Sequence, residues 1–232
     1  GAPTSPMGLG QQAKPGPKPY KEVITDKAVS KKGLFTVHKI DDKFYFEIPD
    51  SIMNREIMAI TRFSKVPGGV GIYGGEVANQ LTLKFEKGPS NNVFLRTVTL
   101  ISVADSTQEI SKAVSNSHLN AIANAFDIKA FGKDSTSTII DVTDFFKGDN
   151  QVVSINANSK RRFSLTMLAS DRSYVQSINT YPVNTEVKTV KTFISSPIPA
   201  GFSAGPSSSQ SAPAAREDRK STRLNSSHED LS

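Results

Sequence analysis

Apolar and polar residues alternate along much of the chain, most densely over residues 33–49, GLFTVHKIDDKFYFEIP. Phe35, Val37 and Ile40 on one arm, and Phe44, Phe46 and Ile48 on the other, predict two strands that each bury one face. Between the arms Asp41-Asp42-Lys43 is polar and turn-prone, which sets the register close to that point. Pro49 cannot donate to a ladder and ends the second arm. Residues 56–65, EIMAITRFSK, alternate again and predict a third strand, with Ile57, Ala59 and Thr61 on one face. Residues 81–85 and 93–103 read as a further hairpin about Gly88-Pro89-Ser90-Asn91-Asn92. Its second arm has Val93, Leu95 and Ile101 on one side and Phe94, Val98 and Leu100 on the other, the pattern of a central strand. Residues 138–142, 163–169, 174–181 and 184–193 complete the set; the last, NTEVKTVKTF, is polar on both faces and reads as an edge.

Helical signals are fewer. Tyr20, Val23 and Ile24 fit one turn, and Thr143-Asp144-Phe145-Phe146 fits a cap and a turn. Ser106-Thr107-Gln108-Glu109 is a capping box, followed at helical spacing by Ile110, Val114, Ile122 and Phe126, with His118 in the same register. Asn116-Ser117 divides that run into two short helices, and residues 151–159 read as a polar loop. The expected class is therefore α+β, mainly β: antiparallel strands and hairpins, one or two short helices on the sheet, and disordered termini.

Composition sharpens the ends more than the middle. Residues 1–19 are rich in Gly and Pro and bury nothing, so they read as a flexible leader. Residues 20–66 form an N-terminal hairpin segment and 67–194 a β-rich domain with short helices, incomplete as it stands. From 195 the chain turns low in complexity and reads as a disordered tail. Within that tail RKSTRLNSSH resembles translated sequencing-adapter DNA, so residues from about 216 are expected to be non-native. The sequon at Asn225 and the pair His228-Glu229 then carry no meaning.

The net charge of +6 over 232 residues raises nucleic acid as a partner. The densest basic cluster, Lys160-Arg161-Arg162, is followed by one aromatic, Phe163, and not by the interleaved stacking residues of single-strand binders. It reads as a solvated strand edge, and no nucleic-acid partner is expected. The absence of cysteine excludes disulfides and thiolate chemistry. No run approaches the roughly 18 apolar residues of a spanning helix, so no transmembrane segment is expected.

Three features invite a chemical reading. Gly69, Gly71 and Gly74 spell G-x-G-x-x-G, but the fingerprint needs a helix next, and residues 78–86 alternate as a strand. Asp141 and Asp144 suggest paired acid-base carboxylates, but their spacing across a strand end does not by itself make them face each other, and Asp144 reads better as a local cap or turn residue. The histidines are His38, His118 and His228, none four residues from another, so no helix can present two of them to one ion. No catalytic, cofactor-binding or metal-binding residue is assigned.

Several stretches carry a resemblance. KPYKEVITDKA, the hairpin itself, IPDSIMNREIMAITRFSK, the glycine-rich stretch ending in GGE, and STIIDVTDFF before GDN resemble the N-terminal region of secreted bacterial zinc-dependent metalloproteases. These belong to the metzincin group and are common in Bacteroidetes. The resemblance covers about residues 19–193. It implies a catalytic domain beyond this region, with H-E-x-x-H-x-x-G-x-x-H holding zinc through three histidines and using the glutamate as base. That motif is not in this sequence. The chain is then expected to be the non-catalytic N-terminal portion of such a protease, inactive alone, packing against or assisting the catalytic domain. Zinc would belong to the parent protein and not to this chain. The partners implied are the catalytic domain and the parent's protein substrate. The implied location is exported, whether periplasmic, outer-membrane-associated or secreted, with no signal sequence in this chain. The alternative is an independent β-rich adhesion or carbohydrate-binding module, distinguished by whether the native reading frame continues into the zinc motif. A nucleic-acid-binding β module is the third option, marked by steep loss of binding with salt.

Overall fold

The computed structural model describes residues 16–66, 73–98 and 120–195, and the backbone of 216–226. The strands are β1 (Val29–Lys31), β2 (Thr36–Ile40), β3 (Lys43–Pro49), β4 (Glu56–Lys65), β5 (Val77–Lys87) and β6 (Asn92–Val98). They continue with β7 (Ile122–Phe131), β8 (Ser137–Asp141), β9 (Leu165–Leu168), β10 (Tyr174–Thr180), β11 (Asn184–Ser195) and β12 (Arg216–Ser226). All pair antiparallel in one sheet of order β1-β2-β3-β8-β7-β6-β5-β4-β12-β11-β10, with β9 also on β11. The described helices are α1 (Tyr20–Val23), α2 (Thr143–Lys147) and α3 (Ala157–Arg162). The mainly β, antiparallel class expected from the alternation is the class observed.

The hairpin of β2 and β3 forms as its pattern dictates. Val37 stands opposite Phe46 and Lys39 opposite Phe44, and Asp41 takes the left-handed backbone of the turn at φ 51°. Val37, Phe44, Phe46 and Ile48 are buried, and Phe35 stacks on Phe46 at 4.9 Å between ring centroids. Each such side chain contributes about 1.5–3 kcal/mol by leaving water.

The sheet curls until its ends meet. Leu34, Phe35 and Val37 from one end share a single apolar cluster with Ile178 and Val187 from the other. Leu34 N–H donates to the Tyr181 carbonyl (2.7 Å), and the Thr180 hydroxyl to the Phe35 carbonyl (3.0 Å). The approach requires glycine at position 33, where a Cβ would lie 2.7 Å from the backbone nitrogen of Tyr181. α2 plugs the curl with Phe145 and Phe146, whose rings meet Phe126 and Phe46. The void left beside them is about 10 Å³, the smallest space that could take one water and too small for an organic ligand. On the outer face of β7 and β8, α1 covers Ala130 and Ile139 with Tyr20, Val23 and Ile24. β8 is therefore buried on both sides, with Ile140 in the main core and Ile139 beneath α1.

Several readings need correction or fall outside the description. The capping box, His118, Gly69, Gly71 and residues 99–103 lie outside the described residues. Residues 122–126, expected at the end of a helix, begin β7; a spacing of four fits a period of two as well as 3.6, and Phe126 and Ile128 face the main core, while the register shift after Ile128 turns Ala130 to the outer face. Residues 151–159 are not a polar loop, because Val152, Val153 and Ile155 are buried and Ala157 opens α3. Lys160-Arg161-Arg162 is the last turn of α3 and not a strand edge; the Asn156 side chain accepts the Ser159 N–H at 2.8 Å and starts that helix. β11 is interior and not an edge. Thr185, Thr189 and Lys191 are buried beside Val187 and Phe193, with the Thr185 hydroxyl 2.9 Å from that of Thr180 and the Lys191 ammonium bonded to the Gly148 and Val153 carbonyls. Polar side chains count as interior when each has a partner. Finally, part of the expected tail joins the fold. β12 runs between β4 and β11, where backbone ladders on both sides supply hydrogen bonds whatever the side chains are.

Candidate functional site

Two polar arrangements stand out. The first crosses four neighbouring strands. Ser30 of β1 stands opposite His38 of β2, and its Oγ lies 2.7 Å from His38 Nδ1. His38 Nε2 lies 2.8 Å from Glu47 Oε2 on β3, and Ser137 Oγ of β8 donates to Glu47 Oε1 at 2.6 Å. The hydrogen bond from His38 holds the Glu47 carboxyl below its ordinary range, against the upward push of burial and with help from Ser137. The Tyr20 ring meets the imidazole edge-on at 6.4 Å. His38 is 2% exposed. Burial together with the nearby Glu47 pushes the Tyr20 hydroxyl upward.

Serine, histidine and carboxylate in that order of contact are the parts of an acyl-transfer triad. A triad also needs room beside the serine for a substrate and donors for the oxyanion. Neither the core void nor the groove described next borders Ser30. The arrangement ties the edge strand β1 to β2, β3 and β8.

The second arrangement is a groove of about 430 Å³ between β7, the end of β8, α2 and residues 148–150. Asp127, Asp141, Asp144 and Asp149 line it, with Lys129 as the one described cation on its wall. Asp141 accepts the Thr143 N–H at 3.0 Å, so Asp141 and not Asp144 supports the start of α2. Burial pushes the Asp149 carboxyl up, but hydrogen bonds and charge from Lys160, 2.6 Å away, with a further contribution from Lys191, outweigh it and leave the group below its ordinary range. The structure thus brings Asp141 and Asp144 to one groove and adds Asp127 and Asp149, which the sequence did not single out. Alternate positions on β7 would have pointed to Asp127.

Zinc does not fit the described residues. Both ring nitrogens of His38 are engaged, and no group of three or more His, Asp or Glu among the described residues is spaced to hold an ion. A dinucleotide fingerprint in the glycine-rich stretch would need a helix after Gly74. Gly74 and Gly75 make a turn, with Gly75 N–H on the Phe63 carbonyl at 2.6 Å, and strand β5 follows where a helix would have to start. Among the described residues no helix is long and apolar enough to cross a membrane.

Comparison with known families places this architecture. A profile described as Domain of unknown function (DUF5117) matches residues 75–228, more than half of the chain. The chain belongs to the DUF5117 family. A second profile, Domain of unknown function (DUF5118), matches residues 17–66. No curated protein matches, and no solved structure does. The DUF5118 segment is not a separate sheet. Its hairpin strand β3 pairs with β8, and its strand β4 pairs with β5 and β12, so it grips the DUF5117 strands from two sides. The acidic groove belongs wholly to the DUF5117 part, whereas the serine-histidine-glutamate chain spans both parts.

Proposed function

We propose that this chain is the non-catalytic β region of an exported zinc-dependent metalloprotease of the metzincin group, built to pack against or assist a catalytic domain of the same polypeptide. The observation that carries the reading is the interlock of the two matched segments into one sheet, since the residues that resemble the protease family lie in both. Exposed apolar residues add to the case: Met167 and Ile194 face each other across β9 and β11, and Tyr181 and Val183 flank the turn before β11. Apolar surface of this kind marks a place where another body docks when it is contiguous. The zinc and the protein substrate belong, in this reading, to the catalytic domain.

The test compares this chain with the polypeptide extended through the zinc motif. The longer protein should cleave casein in a chelator-sensitive way and the chain alone should not. The chain alone should also bind more of a hydrophobic dye per molecule. A native reading frame without the zinc motif, or a chain that is dye-silent and as stable alone as in the longer protein, would overturn the proposal. The acidic groove favours a second reading, an independent binding module for a polyhydroxylated ligand. Saturable binding of an oligosaccharide that is lost in Asp127→Asn and Asp144→Asn would establish it.

A further inference from the structure

Ser30, His38, Glu47 and Ser137 form one line of hydrogen bonds, and the charge on Glu47 sets the direction of the bonds that follow from it. His38 holds the Glu47 carboxyl below its ordinary range against the opposing effect of burial, and Ser137 helps, so the group is ionised at neutral pH. An ionised carboxylate only accepts. His38 Nε2 therefore carries a proton and donates it to Glu47 Oε2 at 2.8 Å. In a neutral imidazole the other ring nitrogen is then a bare acceptor. Nδ1 lies 2.7 Å from Ser30 Oγ, so the Ser30 hydroxyl donates to it.

The surroundings hold this geometry. Ser30 stands directly opposite His38 in the ladder of β1 and β2. The imidazole is buried, with the Tyr20 ring edge-on beside it. Gly132 leaves the space in which Ser137 reaches Glu47, since a Cβ there would lie 2.8 Å from Glu47 Oε1. Ser30 itself is exposed, on the strand that ends the sheet among the described residues. A terminal strand leaves part of its amide groups unpaired, and such amides are the kind of donor a developing oxyanion needs. A buried, oriented base beside an exposed hydroxyl is the arrangement that activates a serine. Neither described cavity borders Ser30, so nothing there selects a large substrate, and a reacting partner has to be small and carry its own good leaving group.

We propose that Ser30 is an activated nucleophile that accepts one group from a small activated acyl ester or phosphonyl fluoride, with His38 as its base and Glu47 as a positioning residue. Ser30 Oγ attacks the acyl carbon or the phosphorus, and its proton passes to His38 Nδ1. The bond to the leaving aryl oxide or fluoride breaks, and the imidazolium then returns the proton to water. Glu47 stays ionised throughout and stabilises that imidazolium. This inference stands apart from the protease reading: it needs neither zinc nor a catalytic domain, and accepting a single group is not peptide cleavage.

The test treats the full chain with a small alkyl fluorophosphonate in the presence of a chelator and locates the adduct by mass spectrometry. One adduct per chain should form, on Ser30, and Ser30→Ala should abolish it. Glu47→Gln keeps the shape but can donate as well as accept, so it no longer fixes the tautomer. It should label at least about tenfold more slowly, the low side of what a positioned base contributes, while circular dichroism shows it folded. A second readout uses the absence of cysteine from the chain, which makes the thiol of Ser30→Cys the single one present. Iodoacetamide should alkylate that thiol at pH 7 at least about tenfold faster than the thiol of Lys31→Cys, an exposed neighbour on the same strand. No adduct on the parent chain, or labelling of other residues as fast as Ser30, would overturn the proposal. So would a folded Glu47→Gln that labels at the parent's rate. Should Glu47→Gln not fold, the thiol comparison decides, and Ser30→Cys no faster than Lys31→Cys would overturn the proposal.

Discussion

The pair β2–β3 and the pair β11–β12 are both antiparallel, both part of one sheet, and held by opposite means. In β2–β3 the inward positions are Val37, Phe44, Phe46 and Ile48. A slip of one residue would turn that set to the outer face, so the apolar pattern itself fixes the register. In β11 the inward positions include Thr185, Thr189 and Lys191, and the sequence of its neighbour β12, REDRKSTRLNS, holds one apolar residue. There the register depends on hydrogen bonds from elsewhere: Thr180 to Thr185, and Lys191 to the Gly148 and Val153 carbonyls. One region carries its instructions in its own side chains. The other borrows them from the structure around it.

Three changes would break or sharpen that contrast. Phe46→Ala should have the largest effect, because Phe46 is 1% exposed and packs against Phe35 and Phe146. Truncating a buried phenylalanine costs about 3–5 kcal/mol, which a urea titration should show as a large fall in midpoint or as loss of the folded state. Lys191→Met should cost less, about 1–3 kcal/mol, as it keeps much of the volume but strips a donor from two carbonyls. If it cost as much as Phe46→Ala, the polar seam would be as deeply built as the hairpin and the contrast would fail.

The smallest effect concerns pH. Glu47 titrates lower in the folded chain than in the unfolded one, chiefly through His38. Its contribution is therefore fully present above the unfolded value of about 4.3, and is lost as pH falls through the folded value. Glu47→Gln should be less stable than the parent at pH 7, by about 1 kcal/mol, and the gap should narrow by pH 3. An undiminished gap at pH 3 would mean that the substitution acts through packing and not through charge.

Legibility followed the same divide. Residues 56–65 were readable to the residue because Ile57, Ala59 and Phe63 alternate with exposed or half-buried neighbours. β7 was not, since Ile122 and Phe126 satisfy both periods and the deciding alternation starts at Phe126. α3 was announced only by Asn156, a cap residue in a stretch that looked like loop. β11 looked like an edge because threonine and lysine are counted as exposed until their partners are known. Of the candidate sites, the groove was half visible in Asp141 and Asp144. The serine-histidine-glutamate chain was not visible at all, because Glu47 and Ser137 lie 90 residues apart and only the pairing of β3 with β8 joins them.

The central claim is that one continuous sheet joins a self-specified hairpin to a seam that holds a weakly specified strand. Native-state amide exchange measured residue by residue tests it most directly. The account predicts the slowest exchange at Val37, Phe44 and Phe46, close to the rate set by global unfolding. It predicts exchange in residues 216–226 at least a hundredfold faster than theirs, although those residues sit between two strands. Equal protection of β12 and the hairpin would contradict it.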